Sequence, residues 1–140
     1  MLKTKCLNPM LINALAKCGH GDRILIADGN YPLDSQANEG AERIYLNLTH
    51  GIPLVTDVLK VIEAVLPIES YTVMVDDTGN TSPIAEEFKA ILPRDACCTK
   101  LGRFEFYEEC RKEGLRAAIL TGEQRLYSCI ILTTGTVKKG

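Results

Sequence analysis

Two groups that could hold or move protons flank one short apolar stretch. His20 comes shortly before residues 23–28, which have the composition of a strand, and Asp28 ends that stretch. An unperturbed imidazole titrates at about pH 6.5, so histidine is the side chain best suited to exchange protons at neutral pH. The only other histidine is His50. We therefore expect any acid–base chemistry of this chain to centre on His20, with Asp28 on the other side of the same strand.

Polar residues that follow predicted strands suit a small hydroxylated ligand. Asp28, Thr121, Glu123 and Tyr127 all follow such strands, and ligands of open α/β sheets gather outside the carboxyl ends of the strands. Carboxylates accept hydrogen bonds from hydroxyls, and arginine donates them in a fork. The chain has neither a phosphate-binding glycine loop nor a Gly-x-Ser-x-Gly motif. The pattern indicates a neutral, polyhydroxylated ligand.

Each candidate residue also has a purely structural interpretation. A histidine after a helix, such as His20, is often a capping or surface residue, and Asp28 could cap a turn. Arg103 could be a solvated residue at a helix edge, and Tyr127 could pack its ring and bond a backbone carbonyl. His50, before a glycine, is typical of a structural turn. From single residues alone, both interpretations remain open.

Helices and strands alternate along the chain, which predicts an α/β fold. Asn8 and Pro9 form a helix start, with Asn at the N-cap and Pro at the first helical position. We expect this helix to stop at Gly19, further helices over 54–65, 83–92 and 104–112, a long loop over 29–42, and strands over 23–28, 43–48, 71–75, 97–101, 115–120 and 128–132. The sheet should be mostly parallel and flanked by helices. The last two strands could pair antiparallel, so a mixed sheet is also allowed.

Length and composition fit one globular domain over residues 1–140. The chain has 46% hydrophobic and 24% charged residues and a net charge of −2, values typical of a soluble protein. No basic stripe indicates nucleic acid as a partner, and no apolar run is long enough to cross a membrane. The N-terminal residues lack the apolar region of a signal peptide, so we expect a cytoplasmic protein.

The cysteines show no pattern of a metal or redox site. None lies in a Cys-x-x-Cys motif, and none forms a Cys/His cluster with zinc spacing. We expect no metal and interpret the cysteines as small hydrophobic residues. They are Cys6, Cys18, Cys97, Cys98, Cys110 and Cys129.

Three blocks of sequence resemble the fucose mutarotase and ribose pyranase (RbsD/FucU) family. The first block is Gly-His-Gly-Asp-Arg-Ile-Leu-Ile-Ala-Asp-Gly-Asn-Tyr-Pro at 19–32, the second is Arg-Phe-Glu-Phe-Tyr-Glu at 103–108, and the third is Thr-Gly-Glu at 121–123, followed by Tyr127 and 130–132. They stand in the family's order and at about its spacing. The resemblance spans nearly the whole chain and implies the family's α/β fold and an isomerase that interconverts cyclic forms of a free monosaccharide.

The resemblance also implies roles for individual residues. His20 matches the family's proton donor, and Asp28, Arg103 and the segment Tyr127, Ser128 and Cys129 match its sugar-binding positions. The family implies neither a metal nor an organic cofactor. It implies ring-shaped homo-oligomers, often decamers of two pentamers, with sites near subunit boundaries.

Two features bear on which sugar is used. The family commonly has Asn where this chain has Cys129, so one amide contact with the sugar is absent if that side chain faces the ligand. Residues 46–53 resemble the ribose-pyranase branch, whereas residues 103–107 resemble the fucose branch. We favour L-fucose because Arg103 belongs to the predicted site. The alternatives are a D-ribose pyranase and a sugar-binding accessory protein without catalytic activity.

Overall fold

A computed structural model describes all residues from 1 to 140. Helices and strands alternate as predicted. In chain order, the elements are α1 (Pro9–Ala16), β1 (Arg23–Ala27), β2 (Glu42–Tyr45), α2 (Val55–Glu63), β3 (Ile68–Met74), α3 (Ile84–Ile91), β4 (Cys97–Leu101), α4 (Arg103–Arg111), β5 (Leu115–Leu120) and β6 (Ile130–Thr134).

The start of α1 follows the predicted capping pattern. The Asn8 side chain accepts a hydrogen bond from the Leu11 N–H at 3.0 Å, and Pro9 occupies the first turn, where its missing N–H costs nothing. Leu11, Ala14 and Leu15 are buried, because residues three and four apart share one face of a helix. Local sequence alone therefore fixes both the start of α1 and the face that packs on the sheet.

The six strands form one mixed sheet in the order β2-β5-β1-β6-β3-β4. The predicted α/β fold with a mixed sheet is confirmed. The suggested pairing of the last two strands is wrong, because β6 lies between β1 and β3 and runs antiparallel to both. Ile130 and Leu132 are fully buried, so β6 takes a central place in the sheet instead of forming a hairpin with β5.

Strand β1 is covered on both faces, as its continuous apolar run predicted. Ile24 and Ile26 join the larger of two core clusters, which also contains side chains of α1, α2 and α3. Leu25 and Ala27 join the smaller cluster, which contains side chains of α4 and of the loop over 31–41. The strand therefore has no side chain free for chemistry, and its functional neighbours lie beyond its ends.

The long loop after β1 is a packed layer. Tyr31 is buried and its hydroxyl donates to the Gln36 carbonyl at 2.7 Å. Arg43 donates from its guanidinium to four backbone carbonyls of the loop. These hydrogen bonds hold an irregular segment against the sheet.

Three cysteines are buried, two are exposed, Cys18 is half-buried, and none forms a disulfide. Cys6, Cys110 and Cys129 are buried in the core clusters, and the Cys129 thiol in addition forms hydrogen bonds with Asp28. Cys97 and Cys98 are exposed on β4 at the edge of the sheet. No helix combines the length and the apolar character needed to cross a bilayer.

Parallel strands bring distant parts of the sequence to one edge of the sheet. Strands β1, β3, β4 and β5 all end there, and the antiparallel β6 begins there. Asp28, Arg103, Thr121 and the segment 127–129 therefore meet at this carboxyl edge. His20 precedes β1 and lies at the opposite edge.

A close backbone contact at Gly122 shapes the carboxyl edge. The Gly122 N–H donates to the Pro53 carbonyl at 2.9 Å, and the Gly51 N–H donates to the Gly122 carbonyl at 2.6 Å. A Cβ at position 122 would overlap the Thr49 carbonyl oxygen and lie 2.7 Å from the Ile52 carbonyl oxygen. Only glycine fits this crossing without moving one of the two segments.

We expect Gly122→Ala to lower the free energy of unfolding by about 1–3 kcal/mol, the usual cost of overpacking. Urea denaturation of the variant and the parent chain measures the difference. Gly19→Ala is the matched control, because a Cβ there comes no closer than 3.9 Å to another residue. Parent-like stability of Gly122→Ala would contradict the packing described here.

Candidate active site

A cavity of about 270 Å³ opens at the carboxyl edge of the sheet. Drug-sized ligands occupy cavities of roughly 300–1,000 Å³, so this cavity suits a smaller molecule. Side chains from four parts of the chain line it, and three of these parts contribute polar groups. The lining residues are Asp28, Asn30, Tyr31, Met74, Arg103, Tyr107, Leu126 and Tyr127.

Asp28 is the buried acid of this cavity, with 6% of its surface exposed. The Asn30 N–H donates to Oδ1 at 3.0 Å, and the Ser128 N–H donates to Oδ2 at 3.4 Å. Burial raises the pKa of the Asp28 carboxyl above its usual range, and the hydrogen bonds that it accepts only partly oppose this. The site therefore holds a carboxylate that gains by accepting further hydrogen bonds from a ligand.

Cys129 lies behind Asp28 and does not line the cavity. Its thiol accepts from the Asp28 N–H at 3.4 Å and donates to Asp28 Oδ2 at 3.4 Å. Burial, followed by the nearby carboxylate of Asp28, raises the pKa of the Cys129 thiol well above its usual range. The thiol therefore stays protonated and serves as a donor that supports the carboxylate.

Ser128 also supports the site from behind the cavity. Its side chain is buried and donates to the Leu126 carbonyl at 3.2 Å. The side chains of Ser128 and Cys129 thus contact the carboxylate or the adjoining backbone. Sugar binding by these two residues stays a prediction.

Tyr127 reaches the cavity from an unusual backbone conformation. Its φ of +55° lies in the left-handed region, which costs a residue other than glycine on the order of 1–3 kcal/mol and often marks a functional position. The next residue in the chain, Ser128, is tied to Asp28 through its N–H. The backbone thus places the phenol ring beside the cavity immediately before β6 begins.

Arg103 begins α4 and presents its guanidinium to the cavity. Its Nε–H donates to the Tyr107 hydroxyl at 2.9 Å, and its Cζ atom lies 5.3 Å from the Phe104 ring centre and 5.5 Å from that of Tyr107. The structure shows no other hydrogen bond for this guanidinium, so its terminal N–H groups are free to bind a ligand. Sequence reasoning missed Tyr107, although its i,i+4 spacing from Arg103 on a helix was a usable signal.

A second, more polar cavity of about 490 Å³ adjoins the first and shares Asn30 with it. His50 and the buried Glu123 both line it. Burial alone would raise the pKa of Glu123, but its hydrogen bonds and ion pair with Arg125 outweigh burial and lower it. Glu123 is therefore held as a carboxylate bound to Arg125, at 2.9 Å from Nη2.

His20 does not reach the cavity in the same chain. A strand rises about 3.3 Å per residue, so the five residues of β1 alone separate His20 from Asp28 by about 17 Å. The His20 Nε2 atom lies 2.9 Å from Glu69 Oε2 at the opposite edge of the sheet. The structure thus brings the predicted binding residues to one edge and leaves the predicted proton donor at the other.

Asp76 and Asp77 follow β3 but do not line the cavity. The Asp76 carboxylate accepts from the N–H groups of Thr78 and Asn80 at 2.9 and 3.0 Å. Asp76 therefore forms a turn, a common role for aspartate after a strand.

Comparison with known proteins identifies the family. The RbsD / FucU transport protein family matches residues 1–137. A fucose mutarotase from Mus musculus is 35% identical over 145 residues, which cover 97% of this chain and 94% of the relative. A D-ribose pyranase from Chloroflexus aggregans is 31% identical over 138 residues, which cover 98% of this chain and 99% of the relative. These relatives are isomerase-type enzymes that act on sugars.

Solved structures show the same fold. RbsD of Bacillus subtilis, complexed with D-ribose, has a TM-score of 0.83 at 28% identity and covers 99% of this chain and 100% of its own. The fucose mutarotase of Streptococcus pneumoniae, complexed with L-fucose, has a TM-score of 0.80 at 28% identity, with the same coverage. The chain belongs to the RbsD/FucU family, which confirms the resemblance seen in the sequence.

We expect the Asp28 carboxyl to titrate above the ordinary aspartate value of about 3.9, because burial raises its pKa. Carbon-13 NMR of the carboxyl group measures this directly. Cys129→Ala should raise the midpoint further, since it removes the thiol donor, and Cys129→Ser should restore it. Asp76 is the internal control, because the Thr78 hydroxyl and neighbouring N–H groups lower its pKa.

The raised pKa of Asp28 also determines the direction in which folding stability changes with pH. Folded Asp28 binds its proton more tightly than the unfolded residue does, so its favourable contribution is present at low pH. That contribution is lost as pH rises from about 3.9 through the raised folded pKa. An Asp28 midpoint at or below the ordinary value would contradict the buried environment described above.

Proposed function

We propose that this chain is a mutarotase that interconverts the anomers of free L-fucose in the cytoplasm. The observation that carries the proposal is the cavity in which the Asp28 carboxylate, the Arg103 guanidinium and the Tyr127 phenol face one small space. An acceptor and two donors around a cavity of this size match the hydroxyls of a single sugar ring.

The chemistry of mutarotation needs only proton transfer. Opening the cyclic hemiacetal removes a proton from the anomeric hydroxyl, breaks the bond between C1 and the ring oxygen, and delivers a proton to that oxygen. Rotation about C1–C2 and closure by the reverse steps give the other anomer. General acid–base catalysis supplies roughly 10²–10⁴-fold, and mutarotation already proceeds unaided in water, so one imidazole meets the demand.

The proposed roles follow from what each side chain can do. His20 takes and returns the protons. Asp28 accepts hydrogen bonds from sugar hydroxyls, Arg103 donates from its free terminal N–H groups, and Tyr127 donates to the anomeric or ring oxygen. Backbone groups of Ser128 and Cys129 border the same carboxylate and complete the binding segment.

The separation of His20 from Asp28 supports a site shared between two copies of the chain. Both residues can meet one sugar only if His20 comes from a second copy, whose loop covers the mouth of the cavity. Apolar side chains beside the cavity are open to such a contact, since Leu126 is 63% and Phe104 73% exposed. We therefore propose a homo-oligomer with a site at each subunit boundary, and a ring of five or a pair of such rings satisfies this requirement.

D-Ribose is the second candidate substrate. The structural likeness to an RbsD complexed with D-ribose favours it, as does the ribose-pyranase character of residues 46–53 in the sequence. L-Fucose remains the first choice because Arg103 lines the cavity and begins the block that resembles the fucose branch.

Saturation-transfer NMR on the anomeric protons of both sugars tests the reaction. We expect exchange above the buffer rate with L-fucose, and a fall in His20→Ala of roughly 10²–10⁴-fold, the full contribution of general acid–base catalysis. His50→Ala, which removes the other histidine, is the matched control and should exchange like the parent protein.

The possible outcomes separate the candidates. Faster exchange with D-ribose than with L-fucose would assign a ribose pyranase. Sugar binding without any rate gain would identify a binding accessory, and no exchange with either sugar rejects the proposal. Full exchange in His20→Ala would exclude the histidine mechanism while leaving the family assignment intact.

Subunit mixing tests the shared site. His20→Ala and Asp28→Asn should each be nearly inactive alone, since one lacks the proton donor and the other a binding carboxylate. After dissociation and reassembly together, some boundaries combine an intact His20 with an intact Asp28, so activity should return. Continued inactivity of a mixture shown by native mass spectrometry to contain both subunits would rule out sharing.

A further inference from the structure

We propose that Glu69 is the positioning residue for His20: it accepts the Nε2–H hydrogen bond and leaves Nδ1 as the atom that exchanges protons with the sugar. This inference rests on the proposed function, because it assigns His20 the proton transfer. It adds a residue that the sequence pattern did not single out and specifies which imidazole nitrogen reacts.

The contact between the two side chains is direct and exposed. The His20 Nε2 and Glu69 Oε2 atoms are 2.9 Å apart, and the side chains are 59% and 45% exposed. An ion pair this open to water adds little to folding stability. Folding stability alone therefore does not account for this ion pair. The imidazole is also exposed enough for a second subunit to reach it.

A β-bulge places Glu69 opposite His20. Ile68 pairs with Thr134 and Ser70 with Thr133, so β3 carries one extra residue here, and that residue is Glu69. Bulges redirect a side chain and are common beside active sites. The bulged residue Glu69 is thus the one whose carboxylate contacts His20.

The space for Glu69 depends on the residue that follows β6. A Cβ at Gly135 would lie 3.3 Å from Glu69 Cβ and 3.5 Å from its backbone nitrogen. Gly135 also donates its N–H to the Pro67 carbonyl at 2.8 Å, immediately before β3. The end of β6 thus holds the bulge closely from one side.

The loop that carries His20 is hydrogen-bonded to the end of β6. The Gly21 N–H donates to the Thr134 carbonyl at 2.9 Å, and the Thr134 N–H donates to the Asp22 carbonyl at 2.8 Å. The Asp22 carboxylate is already occupied by the Gly19 N–H and by Arg116. Asp22, the carboxylate in the His20 loop itself, is therefore not the partner of the imidazole, and Glu69 is the carboxylate that contacts it.

The pairing determines the chemistry of the ring. In a neutral imidazole one nitrogen is a donor and the other an acceptor, and the hydrogen bond at one nitrogen fixes the role of the other. An ionised Glu69 has no proton to donate and acts only as a hydrogen-bond acceptor. The proton of the neutral ring is therefore on Nε2, and Nδ1 keeps its lone pair. When Nδ1 takes the anomeric proton, the same carboxylate stabilises the imidazolium that forms.

The test compares Glu69→Ala and Glu69→Gln in the full-length protein. We expect Glu69→Ala to lower kcat for anomer exchange about tenfold with KM unchanged, because the rotamer and tautomer are lost but the sugar contacts remain. This loss must stay below the roughly 10²–10⁴-fold available to the histidine itself. Glu69→Gln should recover most of the rate, because its amide oxygen also accepts from Nε2–H.

Nitrogen-15 NMR provides a readout other than activity. At about pH 8.5, two units above the ordinary histidine value, the His20 ring should be in the Nε2–H form in the parent and in Glu69→Gln, and mixed in Glu69→Ala. Glu42→Ala is the matched control, since it removes another partly exposed carboxylate that pairs only with Lys17 and Asn13. It should change neither the rate nor the tautomer.

The outcomes distinguish this inference from the function on which it rests. Full activity in His20→Ala overturns the proposed mechanism. A slow His20→Ala beside a fully active Glu69→Ala overturns only the role of Glu69, as does an Nδ1–H tautomer in the parent or a Gln variant as slow as the Ala variant. The double variant should be no slower than His20→Ala alone, and an additional loss would show that Glu69 does not act through His20.

Discussion

The dry interior around β1 is the constraint on which the rest of the structure depends. Ile24, Leu25, Ile26 and Ala27 are fully buried, and the strand has hydrogen-bonded neighbours on both edges. A polar side chain within this strand would lose hydration without a partner. Polar side chains therefore lie beyond the two ends of the strand, with the cavity-lining residues at one edge of the sheet and His20 with Glu69 at the other.

At the carboxyl edge, hydrogen bonds from neighbouring backbone and side-chain groups hold the polar residues in place. Asp28 is kept in a buried place by donors from Asn30, Ser128 and Cys129. The thiol at 129 stands where the resemblance in the sequence led us to expect an amide. Because this thiol points at the carboxylate and not into the cavity, the substitution changes how Asp28 is supported more than which atoms line the ligand space.

Local patterns in the sequence predicted most of the helices and strands. They could not predict which distant segments contact each other. The cap of α1, the buried run of β1 and the loop after it follow from neighbouring residues. The place of β6 does not, since nothing in Ile130 or Leu132 says which strands will flank them. The contact of Asp28 with Cys129 depends on that same placement.

Proximity in sequence is a poor guide to proximity in space at this site. His20 and Asp28 are near each other along the chain, and the family resemblance assigned both of them to one sugar site. An extended strand between them converts that short stretch into a wide separation. The cavity-lining residues Arg103 and Tyr127 show the opposite case, because parallel strands and the central β6 bring them to Asp28 from far along the chain.

The position of β6 has a consequence for how the molecule is made. It is the last strand in the chain, yet it joins β1 on one side to β3 on the other. Without β6, no strand pairing would join β2-β5-β1 to β3-β4, and each group would have an unpaired inner border. Unpaired strand borders can form hydrogen bonds with strands of other molecules. A nascent chain halted before residue 130 is therefore the form most exposed to aggregation and to binding by chaperones.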